Sequence, residues 1–245
     1  MKLSVSFAIA ALATGFVASS ATAGIPVVSV RVEQVGAGSI ELVPVGVPEN
    51  DGGYAYSGTV SVWGFLADFG LRTATKDGGN QSFGGALNFT NLSASTQEFA
   101  VTFTVSTVPT LNPTLCGGSI SGILDGGADG GFFSSVGNGS VWSALVRNGG
   151  SSTTVANLLT GSPYIVNANA ADKFALIPAE QFGSPIPSQP GPALGDSRSI
   201  RMRFLLSAGD TVSLGTTFVV QEIPGPGALA LMGAFGTRLG RRRRG

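Results

Sequence analysis

The sequence predicts an all-β protein, an antiparallel β-sandwich or jelly-roll-like two-sheet domain, on three observations. Apolar residues alternate with polar ones at period two in many stretches, as they do on a strand with one buried face. Asp-Gly and Asn-Gly pairs recur between those stretches and permit the positive φ that tight hairpins require. No stretch sustains a helical period. Composition agrees, because charged residues make up 11% of the 245 and glycines number 37, against usual shares of about 25% charged and about 7% glycine. That excludes a coiled coil. With 43% hydrophobic residues the chain can bury a sizeable core, which excludes wholesale disorder.

The leader comes first. Lys2 precedes a mostly apolar run from Leu3 to Val17, and Ala21-Thr22-Ala23 offers an A-x-A cleavage site. Residues 1–23 therefore read as a secretory signal peptide cut between Ala23 and Gly24 by signal peptidase. The run is broken by Ser4, Ser6, Thr14 and Gly15, and it falls short of the ~20 apolar residues of a membrane span.

The segment 24–223 reads as the β-sandwich domain. Val28, Val30 and Val32 oppose Ser29, Arg31 and Glu33; Phe99, Val101, Phe103 and Val105 oppose Ala100, Thr102 and Thr104. Ile200, Met202, Phe204 and Leu206 oppose Ser199, Arg201 and Arg203, and Val212, Leu214, Phe218 and Val220 form a fourth series. Further strands are expected over 40–45, 54–65, 86–92, 119–124, 132–146, 153–159, 164–167 and 174–177. Turns are expected at Asp51-Gly52-Gly53, Asp77-Gly78-Gly79, Asp125-Gly126-Gly127, Asp129-Gly130-Gly131, Asn138-Gly139 and Asn148-Gly149. The proline-rich stretch 177–192 reads as a long surface loop.

Charge narrows the partners. The formal net charge of zero hides an uneven distribution, because residues 24–223 hold eight basic and fourteen acidic side chains, a net −6. A nucleic-acid surface needs clustered Lys and Arg and is not expected here. Arg198, Arg201 and Arg203 do come close together, and Arg201 and Arg203 read as a solvated sheet face. Cys116 is the only cysteine, so no intrachain disulfide is possible, and it reads as a small buried hydrophobe.

The tail, 224–245, has three parts in a fixed order: the Pro224-Gly225-Pro226 break, a short hydrophobic helix, and the cluster Arg241, Arg242, Arg243 and Arg244. Such a cluster stays cytoplasmic while the preceding domain lies outside. From Gly227 to Gly240 the segment holds 14 residues, about 21 Å as a helix against a hydrocarbon core of about 30 Å. Membrane association through it is expected to be transient. The tail resembles the PEP-CTERM sorting signal of exported bacterial proteins, with Pro224 and Pro226 matching its two prolines and Gly225 standing where its glutamate is expected. The resemblance covers about the last 22 residues. It implies processing by an exosortase, a membrane-embedded cysteine transpeptidase, and delivery to the cell surface or to exopolysaccharide.

Catalytic chemistry finds little support. The chain has no histidine, which removes the commonest general base and zinc ligand and the Ser-His and Cys-His pairs. Gly195-Asp196-Ser197 is similar to one esterase nucleophile block but lacks the later histidine that the block needs. No Gly-x-Ser-x-Gly elbow occurs, and no Ser-x-x-Lys precedes Lys76 or Lys173. Asp125, Asp129 and Gly130 fit three positions of an EF-hand-like calcium loop, but Gly127 and Val136 replace two ligands. No metal or cofactor is expected. Trp63, Trp142, Tyr54, Tyr56 and Tyr164 could stack on sugar rings if a sheet face or loop rim displayed them, with core packing as the alternative.

The leading expectation is a secreted, non-catalytic structural or adhesive protein at the cell surface or in the extracellular matrix of a biofilm. A carbohydrate-binding module for matrix polysaccharide is the alternative. A glycosidase working with two carboxylates, which needs no histidine, is the third.

Overall fold

The computed structural model describes residues 25–76, 80–106 and 110–223. The leader, the cleavage residues Ala21, Ala23 and Gly24, the Asp77-Gly78-Gly79 turn, and the tail with its expected helix all lie outside them. The described residues form sixteen strands, in order β1 (Val28–Gln34), β2 (Gly38–Leu42), β3 (Val47–Pro48), β4 (Tyr54–Val62), β5 (Phe65–Lys76), β6 (Asn80–Asn91), β7 (Gln97–Ser106), β8 (Thr114–Asp125), β9 (Gly131–Ser134), β10 (Ser140–Asn148), β11 (Ser151–Thr160), β12 (Ile165–Ala168), β13 (Phe174–Phe182), β14 (Gln189–Gly191), β15 (Ser197–Leu206) and β16 (Thr211–Glu222).

They make two antiparallel sheets. Sheet A runs β11-β10-β15-β7-β1-β2, with β9 also on β15 and β12 on β9; sheet B runs β13-β8-β16-β6-β5-β4-β3, with β14 also on β8. The fold is a β-sandwich. Its single core is the set of residues that period two sends inward from both sheets. In β1 the valines are fully buried while Arg31 is exposed. In β7, Phe99, Val101, Phe103 and Val105 are buried against Ile200, Met202, Phe204 and Leu206 of β15 and against Val212, Leu214, Phe218 and Val220 of β16.

Aromatic rings carry the contact between the sheets. Phe65 and Phe89 of sheet B stack at 5.1 Å, Phe89 lies 4.6 Å from Phe99 and 5.4 Å from Phe204 of sheet A, and Phe133 continues the cluster 5.3 Å from Phe204. Such pairs contribute about 0.5–1.5 kcal/mol each beyond the area they bury.

Three expectations are corrected. The stretch 54–65 is not one strand, because a two-residue hairpin at Trp63 (φ 45°) and Gly64 (φ 87°) ends β4 and starts β5. Tryptophan rarely takes positive φ, so the turn leaves no mark in the sequence, and the strand over 66–76 goes unseen with it. The stretch 132–146 is likewise two strands, β9 and β10, parted by a turn in which Gly137 has φ 57°. The region 177–192 is mostly not loop: β13 continues to Phe182 with a bulge between Ile177 and Glu180, and β14 adds Gln189–Gly191 to β8.

Candidate functional site

The polar surface most suited to a ligand is the outer face of sheet A. Period two turns Ser29, Thr104 and Ser199 outward, and cross-strand register sets them side by side, Ser29 opposite Thr104 and Thr104 opposite Ser199. The Thr104 and Ser199 hydroxyls are 2.9 Å apart. One step along the strands, Arg31 faces Thr102 and Thr102 faces Arg201. On the other side Arg147 faces Ser197 and Ser152. The result is a hydroxyl lane between arginines, in a trough of about 560 Å³ whose β1–β2 end also carries Glu33 and Glu41.

The arginines differ in what they hold. Arg31 lies 3.4 Å from the Glu33 carboxylate, and Arg203, further along β15, lies 2.6 Å from Glu98. On the opposite sheet Arg72 is paired with Glu49 and Asp51, and these carboxylates hold its pKa above the usual value. Arg147 and Arg201 have no carboxylate within salt-bridge distance among the described residues. Two guanidiniums beside a row of hydroxyls can bind carboxylate groups through paired N–H donors and sugar hydroxyls through the Ser and Thr oxygens.

Arg198 departs from its two neighbours. Its position has the parity of Ile200 and Met202, and it points into the core at 2% exposure. There its guanidinium donates to Oε1 of Gln81, reaches the Ser82 carbonyl at 3.5 Å and lies 5.8 Å from the Phe83 ring centroid. Nε has no partner among the described residues. Burial pushes its pKa down to about 10, which leaves it cationic at neutral pH.

The aromatic candidates are dispersed. Trp142 is fully buried, and its indole N–H donates to Thr216 in the opposite sheet; Tyr56 is 2% exposed and donates its O–H to the Pro26 carbonyl. Neither presents a ring to a sugar. Tyr54 and Tyr164 are half-buried against the core. Trp63, at the β4–β5 hairpin, is 46% exposed and lies against Gly38, where a Cβ would come within 3.1 Å of the indole. The structure therefore does not gather these side chains into a stacking platform.

Asp125 and Asp129 are not drawn into a cluster. The Asp125 carboxylate accepts the Gly127 N–H at 3.0 Å in a local turn, Asp129 is exposed, and no group of three or more metal-ligating side chains is found among the described residues. Asp210, which the sequence does not single out, is buried near Asp125 and accepts the Ser207 hydroxyl. Burial first, and then the Asp125 charge, raise its pKa. Cys116 is buried with its thiol pKa raised by desolvation, and Gly191 packs so closely that a Cβ there would lie 2.2 Å from Sγ. The only cysteine is thus a packing residue. Hydroxyl and arginine residues of the trough escape sequence reasoning because they are ordinary outward positions until register brings five strands together.

The chain matches no protein-family model, and no curated protein is similar enough to count as a relative.

Proposed function

We propose that this is an exported, non-catalytic structural or adhesive protein, sorted to the cell surface or extracellular matrix through the tail at 224–245. The observation that carries the reading is the combination, in one sequence, of the 1–23 leader with the Pro224-Gly225-Pro226 break, short apolar segment and Arg241–Arg244 cluster. Signal peptidase and an exosortase-like enzyme are the processing partners it implies. The body of the protein is consistent with such a role. Most of its large aromatic side chains go into the core, while its outer faces carry small hydroxyl residues on sheet A and exposed apolar ones on sheet B, among them Phe174 and Leu176, at 58% and 75% exposure. Exposed apolar groups of this kind favour contact with other surfaces.

Mass spectrometry of the exported protein tests the reading. The expected N-terminus is Gly24, and the surface form lacks the peptide bearing Arg241–Arg244. Replacing the four terminal arginines with serine misroutes the chain, whereas Cys116→Ser leaves sorting unchanged. A surface protein that keeps both Met1 and the terminal arginines would overturn the proposal.

The trough favours a second reading, binding of an acidic matrix polysaccharide, with Arg147 and Arg201 holding uronate carboxylates and Ser29, Thr104 and Ser199 meeting ring hydroxyls. A glycan array probed with the wild type and with Arg147→Ala/Arg201→Ala decides it: signal on carboxylated glycans is expected from the first and not from the second. No carboxylated glycan retained by the wild type would remove this reading.

A further inference from the structure

The described chain enters and leaves the sandwich at the same end. In sheet A, Val28 at the start of β1 lies opposite Val105 of β7, which lies opposite Arg198 of β15. In sheet B, Val220 near the finish of β16 lies opposite Gln81 of β6. The Arg198 guanidinium donates to Gln81 across the core, so the two rows face each other. Ile25 and Ile223, each three residues further out, therefore depart from one end, toward the leader and toward the tail. The far end is made by turns. Asp125 pairs with Thr211 there, at the opposite limit of the β8–β16 ladder from Thr114 and Glu222.

Aliphatic side chains gather around that exit. Ile25, Val27, Val43, Val45 and Val47 are each more than half exposed, and Val45 reaches 84%. The connection from β2 to β3 brings them together: Leu42 lies opposite Val30 in β1, and Gly46 packs so closely on Ile25 that a Cβ there would lie 2.9 Å from its Cγ2. Tyr56 of β4 ties the start of the chain to the same corner through its O–H, which donates to the Pro26 carbonyl. Past Val47, the carboxylates of Glu49 and Asp51 are both bound to Arg72. The far end exposes Val35, Trp63 and Leu92, but neither end of the described chain leaves from it.

We infer that this end of the sandwich is a membrane-docking surface, on which the aliphatic collar settles into the headgroup and acyl boundary of the bilayer. The inference rests on the export reading, in which the leader and the tail enter that bilayer. A domain whose two flanks leave from one end can sit against the membrane with that end down, and neither flank has to cross the sandwich to reach it. The side chains suit the occupant. Branched aliphatic groups carry no hydrogen-bonding atom and no flat ring, so they match a hydrocarbon boundary and not a sugar. An exposed apolar patch of this kind marks an interaction site, and the segments that continue from Ile25 and Ile223 bring lipid to this one.

The test is depth quenching on the full chain bound to phosphatidylcholine vesicles with brominated acyl chains. A zwitterionic lipid is used because residues 24–223 carry a net −6, which an anionic surface repels. A fluorophore is attached through Val45→Cys, through Ala128→Cys at the far end, or through Ala230→Cys in the tail, with the buried Cys116 out of reach. Quenching is expected at 45 and at 230 but not at 128. Val43→Ser/Val47→Ser, both at exposed positions, should lower quenching at 45 at least about threefold and leave 230 unchanged. Quenching at 230 without quenching at 45 overturns the inference and leaves the export reading standing. Quenching at 45 alone upholds the surface and removes the tail's membrane role, and no quenching at either position overturns both. Equal quenching at 45 and 128 overturns the inference, as does quenching at 45 that survives the two serines, because tethering alone would then account for it.

Discussion

The indole N–H of Trp142, on β10 of sheet A, donates a 2.6 Å hydrogen bond to Oγ1 of Thr216, on β16 of sheet B. Thr216 in turn donates to the Ser119 carbonyl at 3.1 Å. Both side chains are buried. Thr216 fills the polar gap in the alternating series Val212, Leu214, Phe218 and Val220, so the one hydroxyl admitted to that inner row serves the one indole that faces it. Thr216→Val leaves the Trp142 N–H unpaired in the core and should cost about 1–3 kcal/mol in urea unfolding. Trp142→Phe should cost less for the hydroxyl, which keeps Ser119. The double-mutant cycle should then report a coupling of about 0.5–1.5 kcal/mol, and additive losses would deny the bond any net worth.

Phe103 is fully buried, with the Phe69 ring of the opposite sheet 6.2 Å away. Phe103→Ala should destabilise the protein by about 3–5 kcal/mol, since a sandwich held by rings from both sides cannot collapse around the vacancy. The midpoint of thermal or urea unfolding measures it.

Arg198 predicts the opposite sign. A buried guanidinium that donates to Gln81 and Ser82 and leaves Nε without a partner among the described residues recovers little of its desolvation cost. Arg198→Met alone strands the Gln81 oxygen and should change stability little. Arg198→Met with Gln81→Leu removes both polar partners and should stabilise by about 1–4 kcal/mol. A double variant less stable than the wild type would show that the arginine contributes more than its burial costs.

Asp210 makes stability depend on pH. Its folded pKa lies above the ordinary 3.8 because burial and the Asp125 charge disfavour the carboxylate. The folded state therefore holds this proton more tightly than the unfolded chain does. The resulting stabilisation is complete below 3.8 and is lost as pH rises through the raised value. Asp210→Asn carries no such slope. The stability of the variant relative to wild type should therefore grow from pH 4 upward and then level off, as read from urea midpoints across that range. A difference constant with pH would mean that Asp210 titrates normally.

Glu180→Ala tests the end of β11, where Leu159 takes φ 52° and its N–H donates to the Glu180 carboxylate at 2.5 Å. Loss of a charged acceptor from the Leu159 N–H should cost about 1.5–3 kcal/mol. It should also speed amide exchange at Leu159 more than at Val101, which lies in the centre of sheet A between β1 and β15.

Much of this fold is legible in the residues. The inner faces of β1, β7, β15 and β16 follow from alternation alone, because side chains on a strand change face at every residue. Arg198 was legible by the same rule: it shares parity with Ile200 and Met202, and only the cost of burying a cation argues otherwise. The Trp63-Gly64 hairpin was not, since nothing about tryptophan announces a positive φ, and the rigid pairing of Val62 with Phe65 on either side imposes it. The trough on sheet A was hidden for a different reason. Arg147 and Ser29 are 118 positions apart, and they share a surface only because β15 and β7 lie between β10 and β1.

The sequence by itself determined which side of β1, β7, β15 and β16 is buried, the glycine turns at Gly52, Gly130 and Gly149, and the absence of any intrachain disulfide or histidine chemistry. Those properties reside in local chemistry: side-chain period, glycine φ, the presence or absence of a functional group. Tertiary structure alone decided which strands are neighbours, that Trp142 meets Thr216, that arginines line a hydroxyl lane, and that both ends of the described chain leave beside one aliphatic collar. Period two assigns a residue to the inside or the outside but carries no information about the strand beside it. That choice is made when the two apolar faces close on each other.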